Sequence, residues 1–109
     1  TFLIDQYDGF LPVAVSDFAL FFIEKGIVYG LTKNEEEHII SGTLDEIENR
    51  LSEIDFFRAN RQFIVSRKAI IAVKNYFNGR LLLKTKPKTK EQVLISKARV
   101  YIFKKWLVM

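Results

Sequence analysis

The stretch Phe56 to Ile70, "FFRANRQFIVSRKAI", sets Arg58, Asn60, Arg61, Gln62, Ser66, Arg67 and Lys68 among Phe56, Phe57, Phe63, Ile64 and Val65. The apolar residues must be buried, so they anchor the backbone on both sides of "RANRQ" and leave Asn60, Arg61 and Gln62 as a short polar tip. Those side chains have the chemistry of base-edge readers: arginine bonds guanine bidentately, and asparagine or glutamine bonds adenine. Arg58 and Arg61 could equally pair with carboxylates of the segment before them. Residue types alone leave the two readings at even odds.

Catalytic chemistry has little to draw on. His38 is the only histidine and there is no cysteine, so no second ligand of either type could complete a zinc site. Placed beside Glu35, Glu36 and Glu37, His38 reads as a solvated turn residue rather than a base. The glycines are too scattered to cradle a nucleotide. The expectation is a protein without catalysis, cofactor or metal.

The charge distribution favours binding. Residues 1 to 55 carry three basic and twelve acidic residues, a net −9, whereas residues 56 to 109 carry fourteen basic and one acidic, a net +13. A basic half of that strength suits a polyanion, because each lysine or arginine on a phosphate releases condensed counterions. Part of the charge is neutralised where the halves pack, but Glu91 alone cannot balance its neighbours. The run "KTKPKTK", Lys84 to Lys90, reads equally well as phosphate contacts or as protection of a strand edge.

Elements to position these residues are legible. A length of 109 residues with 49% hydrophobic content supports one domain with a real core. No apolar run is long enough to span a membrane as a helix. Phe10 to Val15, Phe18 to Ile23, Ile27 to Thr32 and His38 to Ser41 read as strands. Thr43-Leu44-Asp45-Glu46 has the capping-box pattern, and Leu44, Ile47, Leu51 and Ile54 then fall on one helical face. Asn78-Gly79 predicts a two-residue hairpin turn between Ala69–Phe77 and Arg80–Lys86. Gln92 to Ile95 reads as a strand, and Ser96 as the cap of a segment in which Val100, Phe103, Trp106 and Leu107 form a helical stripe. Tyr76, Phe77 and Tyr101 are assigned to the core.

In chain order, "LPVAVSDFALFFIEKG", "GTLDEIENRL", "FFRANRQFIVSRKAI" and "VLISKARVYIFKKWL" resemble successive blocks of the LytTR-type DNA-binding domain found at the C-terminus of bacterial response regulators. The resemblance runs over residues 10 to 109, so residues 1 to 9 are expected to be a leading segment, a linker from a missing N-terminal domain. It implies a mainly β fold of small antiparallel sheets with one or two short covering helices. Its implied function is sequence-specific binding of double-stranded DNA as the output domain of a cytoplasmic two-component transcriptional regulator. Loops would read successive major grooves at paired direct repeats. The implied partners are that duplex, a covalently linked receiver domain and a second copy on DNA, with no membrane.

Carried onto this sequence, the resemblance makes Arg61 a base reader, with a second position among Lys97, Ala98 and Arg99 and a third near Lys25. Asn60 stands where the family often has histidine, Gln62 where it has serine, and Ser66 where it has asparagine. Ala98 occupies a place where relatives carry arginine, which shifts the expected contact to Lys97 and Arg99. Gly26 and Ile27 replace polar residues and leave Lys25. Arg58, Arg67 and Lys68 are expected on bases or phosphates. Two alternatives come from other classes: a protein-interaction module with opposed acidic and basic faces, and a single-stranded nucleic-acid binder using Tyr76, Phe77 or Tyr101 as stacking platforms.

Overall fold

The computed structural model describes residues 1–109. Strands β1 (Phe2–Gln6) and β2 (Gly9–Val13) form a hairpin. Strands β3 (Phe18–Glu24), β4 (Ile27–Thr32), β5 (Glu37–Ile40), β6 (Phe56–Arg58) and β7 (Phe63–Ser66) form a sheet in the order β5-β4-β3-β7-β6. Strands β8 (Ile70–Asn75), β9 (Leu81–Thr85) and β10 (Val93–Ile95) form a third sheet with β9 in the middle. Helix α1 (Leu44–Arg50) links β5 to β6, and α2 (Val100–Leu107) ends the chain. All pairings are antiparallel, so the expected mainly β architecture with two short helices is what forms. No helix is long and apolar enough to cross a membrane.

The five-stranded sheet is covered on both faces. Phe21, Phe56 and Ile64 pack with Phe2, Ile4, Leu44 and Ile47 on one side. Leu20, Phe57, Phe63 and Val65 pack with Leu81, Leu83, Ile95, Phe103 and Trp106 on the other. That alternation is the period of two a strand requires. Phe18 and Leu20 should then share a face, yet they enter opposite clusters. A register shift between them, at the fully buried Ala19, reverses the alternation.

Local signals explain the turns. Lys25 and Gly26 (φ 51° and 79°) and Asn78 and Gly79 (φ 62° and 73°) all adopt the left-handed region, as a type I′ hairpin turn demands. The second hairpin is looser than the sequence implies, since its strands end at Asn75 and Leu81. The capping box also forms: the Glu46 amide donates to Thr43 Oγ1 (3.1 Å) and the Thr43 amide to Glu46 Oε1 (3.0 Å).

Four expectations need correction. Residues 1 to 9 are no linker, because β1 and the start of β2 lie there and Phe2 and Ile4 are buried in the core. Helix α1 stops at Arg50, and Leu51 takes an extended conformation, so Ile54 leaves the predicted stripe and is 59% exposed. The Ser96 side chain caps nothing; a 3-10 turn over Lys97–Arg99 leads into α2 instead. Phe77 and Tyr101 are 74% and 68% exposed, because the hairpin turn and the outer face of α2 hold them off the core. The helical stripe of α2 is real, with Phe103 and Trp106 buried and Val100 and Leu107 packed beside them.

Two outcomes are expected. A Cβ at Gly30 would lie 2.5 Å from Phe18 Cε1 and 3.2 Å from Phe21 Cε1, so Gly30→Ala should cost about 1–3 kcal/mol by overpacking, read by denaturant unfolding. Hydrogen bonds from the Thr43 backbone and then its side chain hold the Glu46 carboxyl below the usual glutamate range. A depressed folded value stabilises above the unfolded range and is lost as pH falls through it. Thr43→Ala removes the side-chain contribution and keeps the larger backbone one, so the Glu46 titration, followed by NMR, should move only part of the way back toward its ordinary position.

Candidate nucleic-acid interface

The β6–β7 loop, residues 59–62, is shaped by the side chain of its own Asn60 and by that of Arg58 at the end of β6. The Ala59 amide donates to the Phe63 carbonyl (2.9 Å), which closes the turn. Asn60 Oδ1 accepts from the amides of Gln62 (2.8 Å) and Phe63 (3.1 Å), and Asn60 Nδ2 donates to the Leu94 carbonyl on β10 (2.9 Å). Arg58 donates through Nε to the Asn60 carbonyl (2.6 Å) and through Nη2 to the Arg61 carbonyl (2.9 Å). Its Nη1 meets Asp45 (2.7 Å) and Glu48 (2.9 Å) on α1. The backbone is therefore tied to two other elements. The side chains of Arg61 and Gln62 are exposed.

Strand pairing brings a second loop beside the first. Phe22 pairs with Phe63, and the Ile23 amide donates to the Gln62 carbonyl (3.1 Å), which sets the Lys25-Gly26 turn next to the polar tip. Lys25, Gln62, Lys88 and Lys90 line one groove of about 540 Å³, with Phe22, Leu31 and Phe63 also in its wall. Glu24, Glu35 and Glu37 are on the same groove, so it is mixed in charge. Lys84 lies on β9, the middle strand of its sheet, and Lys88 and Lys90 lie in the β9–β10 connection. Edge protection therefore does not explain them.

The third loop, Ser96 to Arg99, reaches the same end of the sheet. Arg99 Nη2 donates to the Arg58 carbonyl (3.0 Å), its guanidinium lies 5.1 Å from the Phe57 ring, and its enclosed Nε has no partner. Arg61, Ser96 and Arg99 line a cavity of about 380 Å³ with Asp45 and Arg58. Lys97 is exposed and lies along Gly79, with its Cδ 3.1 Å from where a Cβ would stand.

The structure thus gathers Lys25, Arg61, Gln62 and part of Arg99 around the β6–β7 loop, sets Lys97 beside Gly79 of the β8–β9 turn, and gives Arg58, Asn60, Ser66 and Arg67 other work. Arg58 and Asn60 are spent on the loop itself. Ser66 is buried, with Oγ accepting from the Lys68 amide. Arg67 donates to the Ile54 and Leu107 carbonyls and stacks 4.1 Å from Trp106. It holds α2 to the exit of α1. Lys68 is exposed, but the four residues of β7 separate it from the tip by about 13 Å of strand. Asp45 and Ser96 joined the site without any sequence signal of that role, since the capping box accounted for one and a helix cap for the other.

The chain matches the LytTr DNA-binding domain family over residues 8–108. It belongs to that family. Among solved structures it is similar to the LytTr DNA-binding domain of a Bacillus cereus protein described as a methyl-accepting/DNA response regulator. The two share 25% identity with a TM-score of 0.80, over 98% of this chain and 95% of that one. No curated protein matches the chain. In this LytTr domain, the three loops that converge are β3–β4, β6–β7 and β10–α2.

Asn60→Ala should loosen the β6–β7 loop. With Oδ1 gone, hydrogen exchange of the Gln62 and Phe63 amides is expected to accelerate, while exchange in β3 stays as it was.

Proposed function

We propose that the domain binds double-stranded DNA sequence-specifically as the output module of a response-regulating transcription factor. The observation that carries this reading is Arg61: an exposed arginine with no protein partner, on a loop whose backbone Arg58 and Asn60 fix. A free guanidinium on a rigid support suits base reading, since little conformational freedom is lost on binding. Gln62 and Lys25 extend the same surface toward one side, and Lys97 with Arg99 toward the other. Each set enters a major groove, and two copies occupy paired direct repeats. A receiver domain linked at the N-terminus controls the output in the cytoplasm.

Arg58, Ser66 and Arg67 have no direct DNA contact in this scheme, and Lys68 touches at most a flanking phosphate. Selection of bound duplexes from a random pool should recover spaced direct repeats, and affinity for the winner should fall with salt on a log-log slope of several units. Arg61→Ala should cost about 1–3 kcal/mol on that site and little on random duplex. Equal loss on both would make Arg61 a phosphate contact, and a flat salt response would count against the whole reading.

The exposure of Phe77 and Tyr101 supports a second reading, in which single strands stack on these rings. Tyr101 lies 4.9 Å from Lys105 Nζ, and Phe77 packs on Tyr76, so the two rings belong to separate elements. Single strands that outcompete duplex would establish it in place of the first.

A further inference from the structure

Acidic side chains are a cost on a surface that meets a polyanion, yet Asp45 lines the same cavity as Arg61, Ser96 and Arg99. Its side chain is 82% exposed, while that of Arg58 is 16% exposed. An ion pair with so accessible a partner contributes little stability. Its geometry is more informative. The Asn60 and Arg61 carbonyls belong to the two peptide units on either side of the Arg61 Cα, and both accept from the one Arg58 guanidinium. Fixing both peptide planes fixes φ and ψ at Arg61, and so the direction in which its side chain leaves the chain. Asp45 and Glu48 hold the remaining Nη1, and through it the plane of the whole guanidinium.

We infer that Asp45 and Glu48 are specificity-determining positioning residues, which act through Arg58 to aim Arg61 at its base. The inference rests on the proposed sequence-specific DNA binding. It extends recognition to α1, which contributes no base contact. The planar fork is essential, because a lysine ammonium is a single point charge and cannot hold two carbonyls and two carboxylates in one plane. Arg99, whose Nη2 donates to the Arg58 carbonyl, links the third loop to the same hub.

Two physical accounts of these carboxylates predict opposite signs. If they only repel phosphate, removing them strengthens binding to every duplex alike. If they position Arg61, removing them erodes discrimination. The experiment titrates the wild-type domain, D45N/E48Q and R58K against the selected duplex and a random duplex at one salt concentration, with thermal midpoints measured alongside. D45N/E48Q should lower the specific-to-random affinity ratio by about ten-fold, the scale of one base contact, without weakening random binding and with its midpoint close to wild type. R58K should lower the ratio similarly. A parallel rise on both duplexes with an intact ratio in D45N/E48Q overturns the inference. A wild-type domain that shows no preference between the duplexes instead overturns the proposed function, a separate result.

Discussion

The structure depends on one constraint: β3 and β7, paired at the centre of the five-stranded sheet, must be buried on both faces at once. Phe21 and Ile64 on one side and Leu20 and Val65 on the other are fully buried, and each such side chain contributes roughly 1.5–3 kcal/mol on leaving water. Neither layer alone could cover both faces. The β1–β2 hairpin with α1 closes one, and the β8–β10 sheet with α2 closes the other. The buried shift at Ala19 lets a run as uniformly apolar as "FALFF" serve both.

Function follows from where that pair ends. At one end of β3 and β7 lie the Lys25-Gly26 turn and the Asn60–Gln62 tip, side by side because their strands are hydrogen-bonded. The third loop joins through side chains rather than strand pairing: Asn60 reaches the Leu94 carbonyl and Arg99 reaches the Arg58 carbonyl. At the opposite end, Arg67 spans the Ile54 and Leu107 carbonyls and locks α2 in place. One end of the sheet thus presents free cations, and the other uses its cation to close the core. The acidic half is also divided in role. Asp45 and Glu48 hold Arg58 beneath the β6–β7 loop, whereas Glu35 and Glu37 border the groove that Lys88 and Lys90 share.

Much of the fold was legible in the sequence. Asn78-Gly79 marked a left-handed turn because few residues tolerate that backbone. The capping box marked the start of α1 because its two hydrogen bonds are local. The end of α1 was not legible: Ile54 continues the apolar spacing, but the backbone has already left the helix at Leu51. Residues 2–6 went unread as a strand for a related reason, since their partner is the next strand and their core contacts lie across the sheet. The exposure of Phe77 followed from β8 ending at Asn75, two residues before the turn, which no pattern of residue types announces.

The sequence by itself determined that Phe56, Phe57, Phe63, Ile64 and Val65 build the core and that a polar tip must emerge between them, because period-two burial and a short break are properties of the chain alone. It also determined the resemblance to the LytTr domains, since ordered blocks of residue types are one-dimensional. Only the tertiary structure decided which cations are free. Arg58, Arg61, Arg67 and Arg99 are the same residue type with similar neighbours. Three of them are engaged by carbonyls, in the case of Arg67 and Arg99 on segments as far as 40 and 41 residues away. A guanidinium is satisfied by whatever acceptors the fold carries to it, and those acceptors are backbone groups that every residue possesses. Spacing put Arg61 in the polar tip but could not tell whether its guanidinium is free; the packing that spends its neighbours is what leaves it available.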